Sequence, residues 1–355
     1  MRVFSGDVPR RAARAGLAGL AGASLLLAGV TTATAAAPGH AEHRVVSRRA
    51  ATSSATRTAT AASSTTGCDP VAQRASVRSA MARIGRADDQ PGYRPRRLRR
   101  LDARLRRRLA TQSLTHAEAR YGLVLRIPVA VHVLAGTHDR GPSRARVRRE
   151  IRVLNDAYSG GQSVENTATR FSFQLVSFDR TVNDAWHTGV MFDAADKAAR
   201  RALHVGGSNE LNLYIAAPAT RNRRSDGVVL GWSSMPWRAQ RRPRLDGVTV
   251  HEGSLPGGRL RDYNRGDTAV HEIGHWLGLF HTFEGGCSKR NDRVADTPAE
   301  YSPSTACERG RDTCPAPGLD PIHNFMDYSF DACMNRFTPG QVNRMTDNWL
   351  AYRTP

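Results

Sequence analysis

The chain has little that would span a membrane. A bilayer crossing takes about 20 consecutive apolar residues, and the apolar run nearest to one, Ala15 to Val30, is shorter. No period repeats along the 355 residues, which excludes a solenoid or propeller. Cysteine is sparse: there are five, and none forms a CxxC pair, so the spacing gives no zinc finger or ribbon. Acidic residues are the minority charge, 32 Asp and Glu against 52 Lys and Arg, for a formal net charge of +20. That excess invites a nucleic-acid reading, but its placement opposes one. Residues 1–120 hold 22 basic and 7 acidic groups, whereas the remaining 235 carry a net charge of only +5. A nucleic-acid binder gathers its basic groups on its folded domain.

What is present divides into three parts. Arginines at positions 2, 10, 11 and 14 precede the uncharged Ala15 to Val30 stretch, and small residues follow through Ala33, Ala35 and Ala37. That order reads as an export signal over residues 1–37, removed to give a secreted protein with no anchor. The Arg10-Arg11 pair is not followed by an apolar pair at the twin-arginine spacing, which favours general secretion. Ala50 to Thr66 is almost wholly Ala, Ser and Thr and reads as a linker. Beyond it, Arg94 to Arg100 and Arg104 to Arg108 are arginine clusters, with Leu98, Leu101, Leu105 and Leu109 at helical intervals. Residues 38–120 are therefore expected to be a propeptide with a basic helix. Its arginines would solvate it, contact an acidic catalytic cleft and offer cut sites for activation. Residues 121–355 are expected to be the catalytic domain, long enough for a sizeable core.

That region holds the most specific pattern in the chain. His271-Glu272-Ile273-Gly274-His275-Trp276-Leu277-Gly278-Leu279-Phe280-His281 reads HExxHxxGxxH, and five fixed residues at this spacing arise by accident in about one chain of this length in ten thousand. Histidines four apart lie on one face of a helix, so His271 and His275 converge on one ion, with Glu272 beside its open position. Gly278 ends the helix in a left-handed turn that returns His281 as third ligand. Three neutral imidazoles suit Zn2+ and leave a fourth position for water, which Glu272 deprotonates as general base before passing the proton to the leaving amine.

The same motif followed by Asn324-Phe325-Met326-Asp327-Tyr328 resembles the metzincin signature with its Met-turn. Together with Cys333-Met334-Asn335-Arg336-Phe337-Thr338-Pro339-Gly340-Gln341, it is similar to the pappalysin family, in particular its small secreted microbial members. The resemblance runs from about Arg126 to Arg353 and is strongest from Asp267 to Met345. It implies a zinc metalloendopeptidase acting on protein or peptide substrates, a floor beneath the ligands at Met326, and an oxyanion contact at Tyr328. It also implies a metzincin fold of α/β (α+β) class, with a twisted mixed sheet and two long helices above an irregular, disulfide-stapled C-terminal subdomain.

Cys287, Cys307, Cys314 and Cys333 read as two disulfides, for which spacing permits three pairings. Similarity to pappalysins favours Cys287 with Cys314 and Cys307 with Cys333. Cys68, left over in the propeptide, is placed to act as a cysteine switch by ligating the zinc of a zymogen, or else is incidental or pairs between molecules. Asp331, after the Met-turn, is the nearest candidate for a pocket acid that would select a basic residue. Asp292, Asp296, Thr297 and Glu300 form an oxygen-rich loop that reads as a Ca2+ site or as a plain polar loop. A monomer is expected. Two other classes stay open on sequence: a zinc amidase of non-peptide or cell-wall substrates, and a non-catalytic binding protein.

Hydrophobic periodicity places strands over Leu123 to Leu134, Phe171 to Phe178, Leu211 to Ala216 and Gly247 to Val250. Helices are expected over Ser143 to Tyr158 with a Ser143 cap, over Asp193 to Leu203, and from Pro339 to Tyr352 behind a Thr338 cap.

Overall fold

The computed structural model describes residues 93–111, 124–218 and 228–354. The expected export signal, the Ala/Ser/Thr-rich linker and Cys68 lie outside the described residues.

Among the described residues, five strands form one mixed sheet: β1 (Leu125–Ala135), β2 (Phe171–Val182), β3 (Leu211–Ala216), β4 (Gly231–Ser233) and β5 (Val248–His251), in the order β2-β1-β3-β5-β4. Strand β1 pairs in parallel with β2 and β3, β3 pairs in parallel with β5, and β4 runs antiparallel to β5 at one edge. Along β1, Ile127, Val129, Val131 and Val133 face the main core. Ala130, His132 and Leu134 on the other face are buried as well. Parallel pairing on both sides makes β1 an interior strand covered above and below, and such strands lose their alternation.

The main core lies between the sheet and three helices. Helix α2 (Arg144–Tyr158) starts at Ser143, whose hydroxyl accepts from the backbone N–H of Arg146 as the sequence suggested. Its stripe of Val147, Ile151, Leu154 and Tyr158 is buried against β2 and the helix that carries the HExxH motif. The motif helix α4 (Asp267–Trp276) is buried at every residue, so it is a central helix and not an amphipathic surface one. Helix α5 (Pro339–Tyr352) starts behind a reciprocal capping box between Thr338 and Gln341, and it contributes Met345 and Trp349 to the core. On the opposite face, α3 (Ala194–Leu203) covers Leu134, Tyr214 and Ala216 with Ala199.

Residues between α4 and α5 are largely irregular and are stapled by disulfides Cys287–Cys314 and Cys307–Cys333, with Cα–Cα separations of 5.3 and 5.8 Å. A segment with so few regular hydrogen bonds gains from cross-links that restrict its unfolded state.

The basic segment forms helix α1 (Pro95–Thr111). Leu98 and Leu105 are buried and Leu101 and Leu109 partly so, against Met235, Trp237, Phe280, Ala351 and Tyr352. Burying each of the two inner leucines contributes about 1.5–3 kcal/mol. The expected attraction of its arginines to an acidic cleft is not how it docks. The inward charge is Asp102, the helix's one acid, which pairs with Arg293 and Arg344.

Candidate active site

Helix α4 carries His271 and His275 one turn apart, and their Nε2 atoms lie 3.1 Å from each other. The helix ends at Trp276, and Gly278 takes φ +97°, a left-handed conformation in which a β-carbon would also stand 2.3 Å from Asn348 Cγ. The turn brings His281 round until its Nε2 is 3.1 Å from that of His275. All three rings are buried. Their donor atoms lie within 4.8 Å of one another, and among the described residues no other group of three or more His, Cys, Asp or Glu converges in this way.

Hydrogen bonding fixes what the cluster presents. His271 Nδ1 lies 2.6 Å from the carbonyl of Phe325, and His275 Nδ1 lies 2.9 Å from that of Leu279. A carbonyl only accepts, so both Nδ1 atoms carry the proton and both Nε2 atoms turn a lone pair toward the other. Lone pairs facing at 3.1 Å repel in a dry environment unless a cation stands between them. The donor set therefore fits a metal ion, and its carbonyl partners orient the ligands toward one.

Met326 lies beneath this helix. A β-carbon on Gly274 would be 2.5 Å from Met326 Sδ, so the unspecified fourth position of the motif is small because the Met-turn packs against it. The turn is held in place by Asn324, which accepts from the Met326 N–H at 3.0 Å and exchanges two 2.9 Å hydrogen bonds with Gln341 of the α5 capping box. The Tyr328 hydroxyl points into the cluster, 3.2 Å from His281 Nε2. Glu272 is buried and borders the cleft beside β4, where a β-carbon on Gly231 would approach its Cγ to 2.8 Å. The cleft is lined by His271, Glu272, Tyr328, Gly231, Tyr263 and Met334 among others. Gly231, Gly274 and Asn324 are the positions whose work the sequence reading did not assign. Asn324 had a signal, since it opens the Met-turn motif.

Asp331 is placed differently from the pocket acid of the sequence reading. Its carboxylate is buried and accepts from the Arg265 N–H at 2.7 Å, with further backbone hydrogen bonds to Gly266 and Asp267. It caps the start of α4, where Gly266 has no side chain to do so. Burial pushes its pKa up to about 6 against the lowering effect of these N–H groups. The acids of the oxygen-rich loop also disperse. Asp296 accepts from Thr338 Oγ1 and Gly340 N–H at the start of α5, Glu300 pairs with Arg311 and Thr282, and Asp292 accepts from Val294. They converge on no common point that would hold calcium.

A mixed sheet over a helix that ends in a glycine turn, with a methionine floor beneath three converging imidazoles, defines a metalloprotease of the metzincin class. Comparison with known proteins agrees. Residues 250–350 match the peptidase family described as pregnancy-associated plasma protein-A. An extracellular metalloprotease of Pyricularia oryzae is 42% identical over 234 residues, covering 64% of this chain and 76% of its own. Among solved structures, mature mirolysin of Tannerella forsythia in complex with a cleaved peptide is 28% identical with a TM-score of 0.53, covering 63% of this chain and 91% of that one. A promirolysin mutant from the same organism is 25% identical with a TM-score of 0.57, covering 73% and 92%. The chain belongs to the pappalysin family of metalloproteases and, like its named relatives, is extracellular.

Proposed function

We propose that the chain is a secreted zinc endopeptidase made as a zymogen, with residues 1–37 as export signal, 38–120 as propeptide and 121–355 as catalytic domain. His271, His275 and His281 hold Zn2+, the ion that suits a buried all-imidazole set with one position left open. When bound there, zinc acidifies a coordinated water toward a pKa of about 7 and polarises a peptide carbonyl. Glu272 takes the proton from the attacking water and delivers it to the departing amine. Gly231 keeps room for its side chain at the cleft wall, and the Tyr328 hydroxyl donates a hydrogen bond to the oxyanion.

The observation that carries this reading is the meeting of three imidazole Nε2 atoms beside a buried carboxylate in an open cleft. Zymogen formation is supported by the likeness to promirolysin, which covers a larger share of the chain than the mature enzyme does. In this reading Cys68 supplies the thiolate that silences the proenzyme, protein or peptide chains are the substrates, and the mature form is an unanchored monomer.

The test is Glu272→Ala in the processed protein, assayed on casein with metal content measured alongside. The expected result is a loss of turnover exceeding a hundredfold with zinc retained. Cleavage at the wild-type rate would refute the assignment.

A further inference from the structure

Helix α1 takes no part in the chemistry above, and no cleft-lining residue belongs to it. It is nevertheless docked with a polarity opposite to its composition. Of its eight arginines, Arg96, Arg97, Arg99, Arg100, Arg106 and Arg107 are exposed, whereas its lone acid Asp102 is buried between Arg293 and Arg344. Leu98 and Leu105 fill the apolar surface made by Trp237, Phe280 and Tyr352. Arg108 donates to the Ala351 carbonyl at 2.8 Å and lies over the Tyr352 ring.

Part of this docking surface is the stretch that delivers the third imidazole, which Tyr93, just ahead of α1, also contacts. Phe280 precedes His281, and the Tyr93 ring meets it edge-on at 5.5 Å. Glu284 follows, and its Oε1 accepts from the Tyr93 N–H at 2.7 Å. Arg344, which pairs with Asp102, donates to the Gly278 carbonyl at 3.0 Å and lies over the Phe280 ring.

We propose that this surface is a receptor for an acid-bearing amphipathic helix, filled by α1, which braces the Gly278-to-Glu284 turn from behind and stays bound as a second, non-covalent chain once the propeptide is cut on either side of it. A buried ion pair with two arginines fixes the register, and the leucine stripe supplies non-directional adhesion that does not depend on chain continuity. The arginines lie on the solvent side, so the helical fold shields their peptide bonds from proteases that need extended chain. The bracing of His281 rests on the zinc reading; retention of α1 does not.

The test takes the full-length chain, cuts it with trypsin under native conditions, separates the products by gel filtration and identifies the peptides in the catalytic peak by mass spectrometry. A fragment containing residues 93–111 should co-elute with the catalytic domain in the wild type and be lost in Asp102→Asn. On the uncut chains, zinc transfer to a chromophoric chelator should be at least fivefold faster in Asp102→Asn, and an Asp102→Arg chain should recover slow transfer when Arg293→Asp is added. Separate elution of the wild-type fragment overturns the proposal, as does equal retention in Asp102→Asn. Equal zinc transfer in both uncut chains overturns the bracing. A chain that binds no zinc defeats the metal reading alone and leaves retention to decide the docking.

Discussion

Gly231 and Glu272 approach each other at a spacing only glycine permits. A β-carbon at 231 would lie 2.8 Å from Glu272 Cγ and 2.9 Å from Oε1, with the Thr249 carbonyl also at 2.8 Å. Edge strand β4 and metal helix α4 are thereby locked at close range, and the proposed base takes its place from the strand. In Gly231→Ala the methyl group displaces the carboxylate, and kcat/KM should fall by about a hundredfold, the cost of misplacing a catalytic group by about 1 Å. Metal content should be unchanged. Steady-state kinetics on one fluorogenic peptide, with metal analysis of the same sample, checks both statements.

Gly274 meets Met326 Sδ in the same manner, and a β-carbon there would sit 2.5 Å from the sulfur. Gly274→Ala overpacks the floor of the site, a change that costs about 1–3 kcal/mol. Thermal unfolding should show a lower Tm, and pairing the change with Met326→Ala should recover part of it.

Arg353 is fully buried at the end of the described chain. It donates to Asp246 at 2.8 Å and to the Trp276 carbonyl at 2.9 Å, and it lies over the Trp276 indole, whose Nε1 also donates to Asp246. This pair ties the C-terminus of α4 to the loop before β5. Asp246→Ala leaves an uncompensated buried guanidinium, for which a loss of about 3–5 kcal/mol is expected. Urea unfolding of the variant against wild type measures it.

Glu150, Asp267 and Asp331 stand near one another behind the start of α4, all buried. Burial, then the charges of Asp267 and Asp331, push the Glu150 pKa well above the usual carboxylate range. A raised carboxylate pKa means that the folded state holds the proton more tightly. The associated stability is full below the unfolded value of about 4.3 and is lost as pH rises through the folded value. Glu150→Gln removes the ionisation while keeping the shape. It should leave Tm unchanged near pH 4 and raise it above wild type at pH 8, the difference widening with pH. A difference that narrows with rising pH would reverse the sign assigned here.

The sequence carried the metal centre because its information is local. Helical periodicity puts His271 beside His275, and one glycine after the helix suffices to return His281, so no distant partner is needed to see the convergence. Caps at Ser143 and Thr338 were legible for the same reason. Strand β4 was not, since three residues are too few to show a period, and neither was the constraint it sets on Gly231. Asp331 looked like a pocket acid from its place after the Met-turn. Its actual partners, the N–H groups at the start of α4, lie 66 residues away at Arg265. Helix α1 divides in the same way. Its leucine stripe predicts a docked face, but the polarity of docking is set by Arg293 and Arg344, 191 and 242 residues from Asp102, which no local pattern reveals.

The most direct test of the account is metal analysis of the processed protein by mass spectrometry, joined to a peptide-cleavage assay on the same preparation. One zinc ion per chain is predicted, abolished by His271→Ala, His275→Ala or His281→Ala, with cleavage lost on chelation and restored by added zinc. Purified protein that cleaves peptides with no stoichiometric metal, or that keeps its zinc when all three histidines are replaced, would contradict it.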